Sequence, residues 1–255
     1  MKKGFYLSKI TQKILKFFYI DRIFARSGYL LSSRTPLYGL LSTIPLLLAY
    51  EIMTLFVGNY EIYYVRNYSD VVFKELLDLL GIHGPFAIGL FIIGVITLIF
   101  YLRDKEFKKL NLKYFIWIIL ESGLYAVIIG YISFKFTQIL FLIINIKEFK
   151  DVGIMLSLGA GFYEELVFRV LFFGISAYTL ILLKVRPFVA YLIAALFSSV
   201  LFSWSHYLGS EPFTITSAFY RFFMGLLLCV LYKLRGFGVV AYTHAIYDLI
   251  IILNR

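Results

Sequence analysis

Apolar residues run along this chain in stretches broken by short charged clusters. With a membrane crossing of roughly 20 residues as the ruler, seven stretches predict spanning helices: 36–57, 84–102, 114–145, 153–183, 188–207, 214–232 and 237–253. Two of them, 114–145 and 153–183, exceed the ruler. Each therefore predicts a tilted span, an extension past the bilayer, or a span plus a surface helix, and the last case raises the count to eight. Between the first two spans, residues 58–83 mix Glu61, Asp70, Glu75 and Asp78 with aliphatics at helical spacing, the pattern of a helix lying on the outer interface. Neither an internal repeat nor a low-complexity linker interrupts the series. The expected fold is an all-α polytopic membrane protein, with a basic N-terminal segment over 1–34 and a single transmembrane domain over 35–255.

Composition supports this and removes alternatives. A hydrophobic share of 61% against 16% charged leaves too little polar surface to clothe a soluble globule of 255 residues. The net charge of +10 would suggest nucleic acid in a soluble protein; here it reports topology, and no nucleic-acid partner is expected. Lys2, Lys3, Lys9, Lys13, Lys16, Arg22, Arg26 and Arg34 face only Asp21 in the first segment, which reads as a basic amphipathic helix on the cytoplasmic face. With the N-terminus inside, Arg103, Lys105, Lys108, Lys109, Lys113, Lys184, Arg186, Lys233 and Arg235 also fall inside. Only Arg66, Lys74, Lys147, Lys150 and Arg255 fall outside, together with the C-terminus. The expected location is the plasma membrane, of bacterial type. Cys229, alone in the chain, forms no internal disulfide.

The informative residues are the ionisable ones inside spans, because each costs ~2.5–3.5 kcal/mol at a helix centre unless paired or hydrated. The fourth span carries Glu164, Glu165 and Arg169 within six residues. At 100° per residue, Glu165 and Arg169 share a face with the acid N-terminal, the favourable order for a helical ion pair. Glu164 is rotated away and left for other work, which nominates it as the chemical residue. His206 ends the fifth span, and His244 and Asp248 share a face of the seventh, where Asp248 could orient the imidazole or act beside it. A carboxylate, two imidazoles and a fourth polar group suit water activation for hydrolysis. Each set also has a structural reading: a register-fixing ion pair, an interfacial histidine beside Trp204 and Tyr207, a packed His–Asp pair. Arg221 is expected to snorkel or to pair with Asp248 or Glu165, and Glu121 to pair with Lys135 or a neighbour. Gly159 and Gly161 predict a close helix contact. One difficulty remains: straight spans at ~1.5 Å per residue put His206 ~28 Å and His244 ~10 Å from the inner face. Strong tilt, or spans that start and stop inside the protein, would reconcile them.

At these residues the sequence resembles the CPBP superfamily, the CAAX-protease and bacteriocin-processing family also called Abi. Its pattern of Glu-Glu-x-x-x-Arg, Phe-x-x-x-His and His-x-x-x-Asn/Asp is met by Glu164 to Arg169, Phe202 to His206 and His244 to Asp248, within a core of about 150–255. The resemblance implies an intramembrane endopeptidase acting on a membrane-associated protein or peptide, by CAAX-type, leader-peptide or pheromone processing. Glu164 would activate water with His206, while His244 and the Asp248 position stabilise the oxyanion. Asp248 stands where the CAAX endopeptidases generally have Asn, so it would need to stay neutral or to orient His244 instead. The resemblance implies no obligatory metal; a divalent ion such as zinc on Glu164, His206 and His244 stays an open alternative. Rival functions are a non-proteolytic membrane adaptor or bacteriocin-immunity factor with the same fold and, with less behind it, a proton-coupled transporter.

Overall fold

The computed structural model describes residues 28–56, 67–79, 81, 110–140, 150–208 and 212–253. The basic segment before residue 28, the expected span at 84–102, residues 58–66 of the expected outer helix and residues 141–145 of the third stretch lie outside the described residues. Helices α1 (Gly28–Ser32), α2 (Pro36–Phe56), α3 (Tyr68–Leu79), α4 (Lys113–Leu140) and α5 (Lys150–Gly159) lead into a π-helix over Ala160–Ile175. Then follow α6 (Ser176–Leu182), α7 (Pro187–Ser205), α8 (Ile215–Arg235) and α9 (Phe237–Leu253). Among the described residues every element is helical.

Local sequence sets the borders. Pro36 and Pro187 occupy first-turn positions, where a missing N–H costs nothing. Thr214 caps α8 by accepting from the Ser217 amide at 3.2 Å. Gly236, at φ +82°, ends α8 in a conformation side chains rarely adopt, and α9 begins at the next residue.

The packing is that of a protein dissolved in lipid. On α4, Ile116, Trp117, Leu120, Leu124, Val127 and Tyr131 point outward, while Ser122 and Ser133 are buried. Five described helices are long and apolar enough to cross a membrane: Pro36–Thr54, Lys113–Phe136, Gly153–Leu182, Pro187–Ser205 and Ile215–Arg235. The protein is an integral, multi-pass membrane protein. The fourth stretch does not divide into a span and a surface helix; it runs unbroken as α5, the π-helix and α6. The expected seventh span, α9, has 17 residues and falls short of the ~20-residue ruler. It is the central helix, with every residue from Gly238 to Ala245 buried, packed against α2, α4, α5, α8 and the π-helix.

A buried ion pair roofs the start of α9. Arg235 meets Glu121 of α4 (Nη2–Oε2 2.8 Å), Ser33 (2.9 Å) and the Leu30 carbonyl (3.2 Å), and Tyr29 donates to the same glutamate. Of the partners expected for Glu121, Lys135 or a neighbour, it is a neighbouring helix's Arg235 that pairs with it. Burial and the Glu121 carboxylate push the Tyr29 hydroxyl well above the usual tyrosine range. His206 and His244 meet at one level, both edge-on to the Phe202 ring, which removes the depth conflict between them.

Candidate active site

The site grows from the π-helix. It carries Glu164, Glu165 and Arg169, with Glu165 facing Arg169 and Glu164 turned to Asn67 and His206. Small residues permit close approach here: a Cβ on Gly161 would lie 2.6 Å from both the Ala241 carbonyl oxygen and the Ala245 Cβ of α9, and one on Gly159, the last residue of α5, 2.5 Å from the Tyr50 ring of α2. The close contact expected at these glycines is present.

Glu165 and Arg169 are fully buried, with Oε2 3.0 Å from Nε. The ion pair expected from the spacing is therefore there, but it accounts for only one carboxylate oxygen. Oε1 accepts from Nδ1 of His244 at 2.7 Å, so Glu165 also orients an imidazole. The Arg169 Nη groups donate no hydrogen bond among the described residues; instead the guanidinium sits 4.3 Å from the centre of the Phe202 ring. Phe202 touches both histidines edge-on, at 5.1 Å from His206 and 5.8 Å from His244.

Glu164 is held differently. Oε1 accepts from the Asn67 amide at 2.7 Å, while Oε2 is buried, accepts no hydrogen bond among the described residues and lies 3.9 Å from Nε2 of His206. The His206 Nδ1–H donates to the Phe202 carbonyl one turn back at 2.8 Å, which leaves Nε2 facing Glu164. Asp248 is 3.6 Å from Nε2 of His244, beyond direct hydrogen-bond length, so Glu165 is the closer orienting group. Arg221 hydrogen-bonds Ser217 at 2.9 Å and covers the Tyr207 ring at 5.4 Å.

The structure thus brings Glu164, Glu165, Arg169, Phe202, His206, His244 and Asp248 to one place. Sequence reasoning missed Asn67. Its local signal is that of a helix N-cap, with Oδ1 accepting from the Ser69 amide at 2.9 Å, and nothing in that signal points to Glu164. As a zinc site the set does not fit: among the described residues no three His, Cys, Asp or Glu groups converge as ligands, and both His244 nitrogens face carboxylates.

Comparison with known proteins bears on the same elements. No curated protein and no solved structure matches the chain. Residues 151–250, from α5 to α9, match the family model described as type II CAAX prenyl endopeptidase Rce1-like. Those residues hold both glutamates, Arg169, both histidines and Asp248, and over them the chain is similar to that CAAX-protease family.

Proposed function

We propose that the protein is an intramembrane endopeptidase that hydrolyses a peptide bond of a membrane-associated protein or peptide, with Glu164 as the base that activates water. The observation that carries this reading is the 3.9 Å gap between Oε2 of Glu164 and Nε2 of His206, each group anchored at its other end. Two hydrogen bonds of about 2.8 Å span such a gap, so a water there would meet an acceptor on either side. Glu164 takes the proton as the water oxygen attacks the scissile carbonyl carbon, then returns it to the leaving amine. His244 has carboxylates at both nitrogens, which suits an imidazolium whose Nε2–H faces the developing oxyanion. Arg169 balances the charge of Glu165 and keeps that carboxylate on His244.

The test uses purified protein in liposomes with membrane-anchored peptides, prenylated and unprenylated, and mass spectrometry of the products. Wild type should cleave one class, and Glu164→Ala should slow it by at least ~10³-fold, the upper range for acid–base catalysis. Full cleavage by Glu164→Ala would overturn the assignment. Tight binding of a peptide without hydrolysis by wild type would point instead to a non-proteolytic adaptor.

A further inference from the structure

The hydrogen bond from Asn67 to Glu164 joins two parts of the molecule that sequence similarity keeps apart. Asn67 lies before α3, far upstream of the matched residues 151–250, yet it is buried against the carboxylate assigned as the base. Its orientation is determined by its surroundings. The amide oxygen is taken by the Ser69 N–H, and the Asn67 carbonyl accepts from the amides of Asp70 and Val71, as at a helix start. The NH₂ must therefore face Glu164; a flipped amide would set two oxygens against each other.

A second layer secures this geometry. The Asn67 backbone N–H donates to the Tyr50 hydroxyl (3.2 Å), Tyr50 donates to Asp70 (2.9 Å), and Asp70 pairs with Lys74 (2.8 Å). Phe73 and Leu77 pack with Tyr50 and Tyr163 in one apolar cluster, so α3 is docked against the bundle. A side chain whose acceptor is used by its own helix and whose donor is spent on Glu164 has a fixed direction.

We propose that Asn67 is a positioning residue of this site. It fixes Oε1 of Glu164 so that Oε2 is presented to His206, which makes α3 part of the machinery that residues 151–250 alone do not complete. The proposal rests on Glu164 acting as the base, and two readouts separate the ideas. Asn67→Ser and Asn67→Asp keep an N-cap acceptor, so α3 should stay docked. Thermal unfolding followed by a thiol-reactive dye on Cys229, the only cysteine and a buried one, checks this.

In the liposome assay both variants should lose kcat by ~10–100-fold with KM within about twofold, the signature of a mispositioned base. A merely structural role would lower the folded fraction and leave kcat per folded molecule intact. The second readout needs no substrate. Dicyclohexylcarbodiimide modifies protonated carboxyls in apolar surroundings, so loss of the amide donor in Asn67→Ser should raise labelling of Glu164, read by peptide mass spectrometry, at least threefold. Wild-type kcat in both variants, or unchanged labelling of Glu164, overturns the proposal. If wild type cleaves nothing while labelling still rises, the peptidase reading falls and the Asn67–Glu164 contact stands.

Discussion

Gly161→Ala adds one methyl group at a position that bears no chemistry, and the structure fixes where that methyl must go. It would sit 2.6 Å from the Ala241 carbonyl oxygen and 2.6 Å from the Ala245 Cβ. Non-bonded carbons settle at ~3.5–4.0 Å, so the π-helix has to retreat from α9 by about 1 Å. The neighbours are backbone and a methyl, which offer no rotamer to yield. Overpacking of this kind costs ~1–3 kcal/mol, and at ~2–4 °C per kcal/mol for a chain of this size the Tm should fall by roughly 2–12 °C. The same retreat stretches the Glu165–His244 bond, 2.7 Å in the native protein, to about 3.7 Å, past hydrogen-bond length. A displacement of 1 Å near a reacting centre costs ~10²-fold in rate. The assay is Tm by the Cys229 dye together with kcat on the cleaved peptide. Gly123→Ala serves as control, since nothing lies within 4 Å of a Cβ there. Adding Ala245→Gly to Gly161→Ala removes one of the two contacts and should restore part of both losses. Native Tm and kcat in Gly161→Ala would refute the claim that contact between the π-helix and α9 sets the site.

Two further outcomes test the buried charges. Glu165→Gln leaves the Arg169 guanidinium without a counter-ion in an apolar core, a loss of ~3–5 kcal/mol that should appear as a collapse of monodisperse protein on size exclusion. Adding Arg169→Met should recover folded yield but not cleavage, because His244 still lacks its carboxylate; normal folding of the single variant would contradict this. Glu121→Gln should lower Tm by the equivalent of ~1–3 kcal/mol, through Arg235 and Tyr29, while kcat per folded molecule stays at the wild-type value. A fall in kcat with unchanged Tm would show that this cluster communicates with the site.

The sequence announced its helices because lipid imposes a length and a polarity on every span, and α2, α7 and α8 lie within a few residues of the borders read from hydropathy. The charged residues were legible for a related reason. Glu164, Glu165, Arg169, His206 and His244 are costly in apolar helices, so their presence already implied partners. Who partners whom was less legible. The rotation argument gave Glu165 to Arg169 and left Glu164 for other work, as the structure has it, but that Glu165 also holds His244 depends on tertiary packing. For Glu121 the sequence offered Lys135 or a neighbour without singling out Arg235, which lies more than a hundred residues away in the chain. Asn67 escaped altogether: an N-cap signal is local, while the other end of the same side chain answers to tertiary structure.

The π-helix also bears on when this protein becomes chemically competent. Wide helices of this length hold a poorer hydrogen-bond geometry than α-helices and do not persist on propensity alone, so Ala160–Ile175 depends on α3, α7 and α9 closing around it. Until those helices are made, Glu164 and Glu165 lack the imidazoles they meet in the folded protein. His206 arrives with α7 and His244 with α9, so the set closes only with the last of these helices. On the proposed function, hydrolysis therefore waits until the bundle has closed around the π-helix.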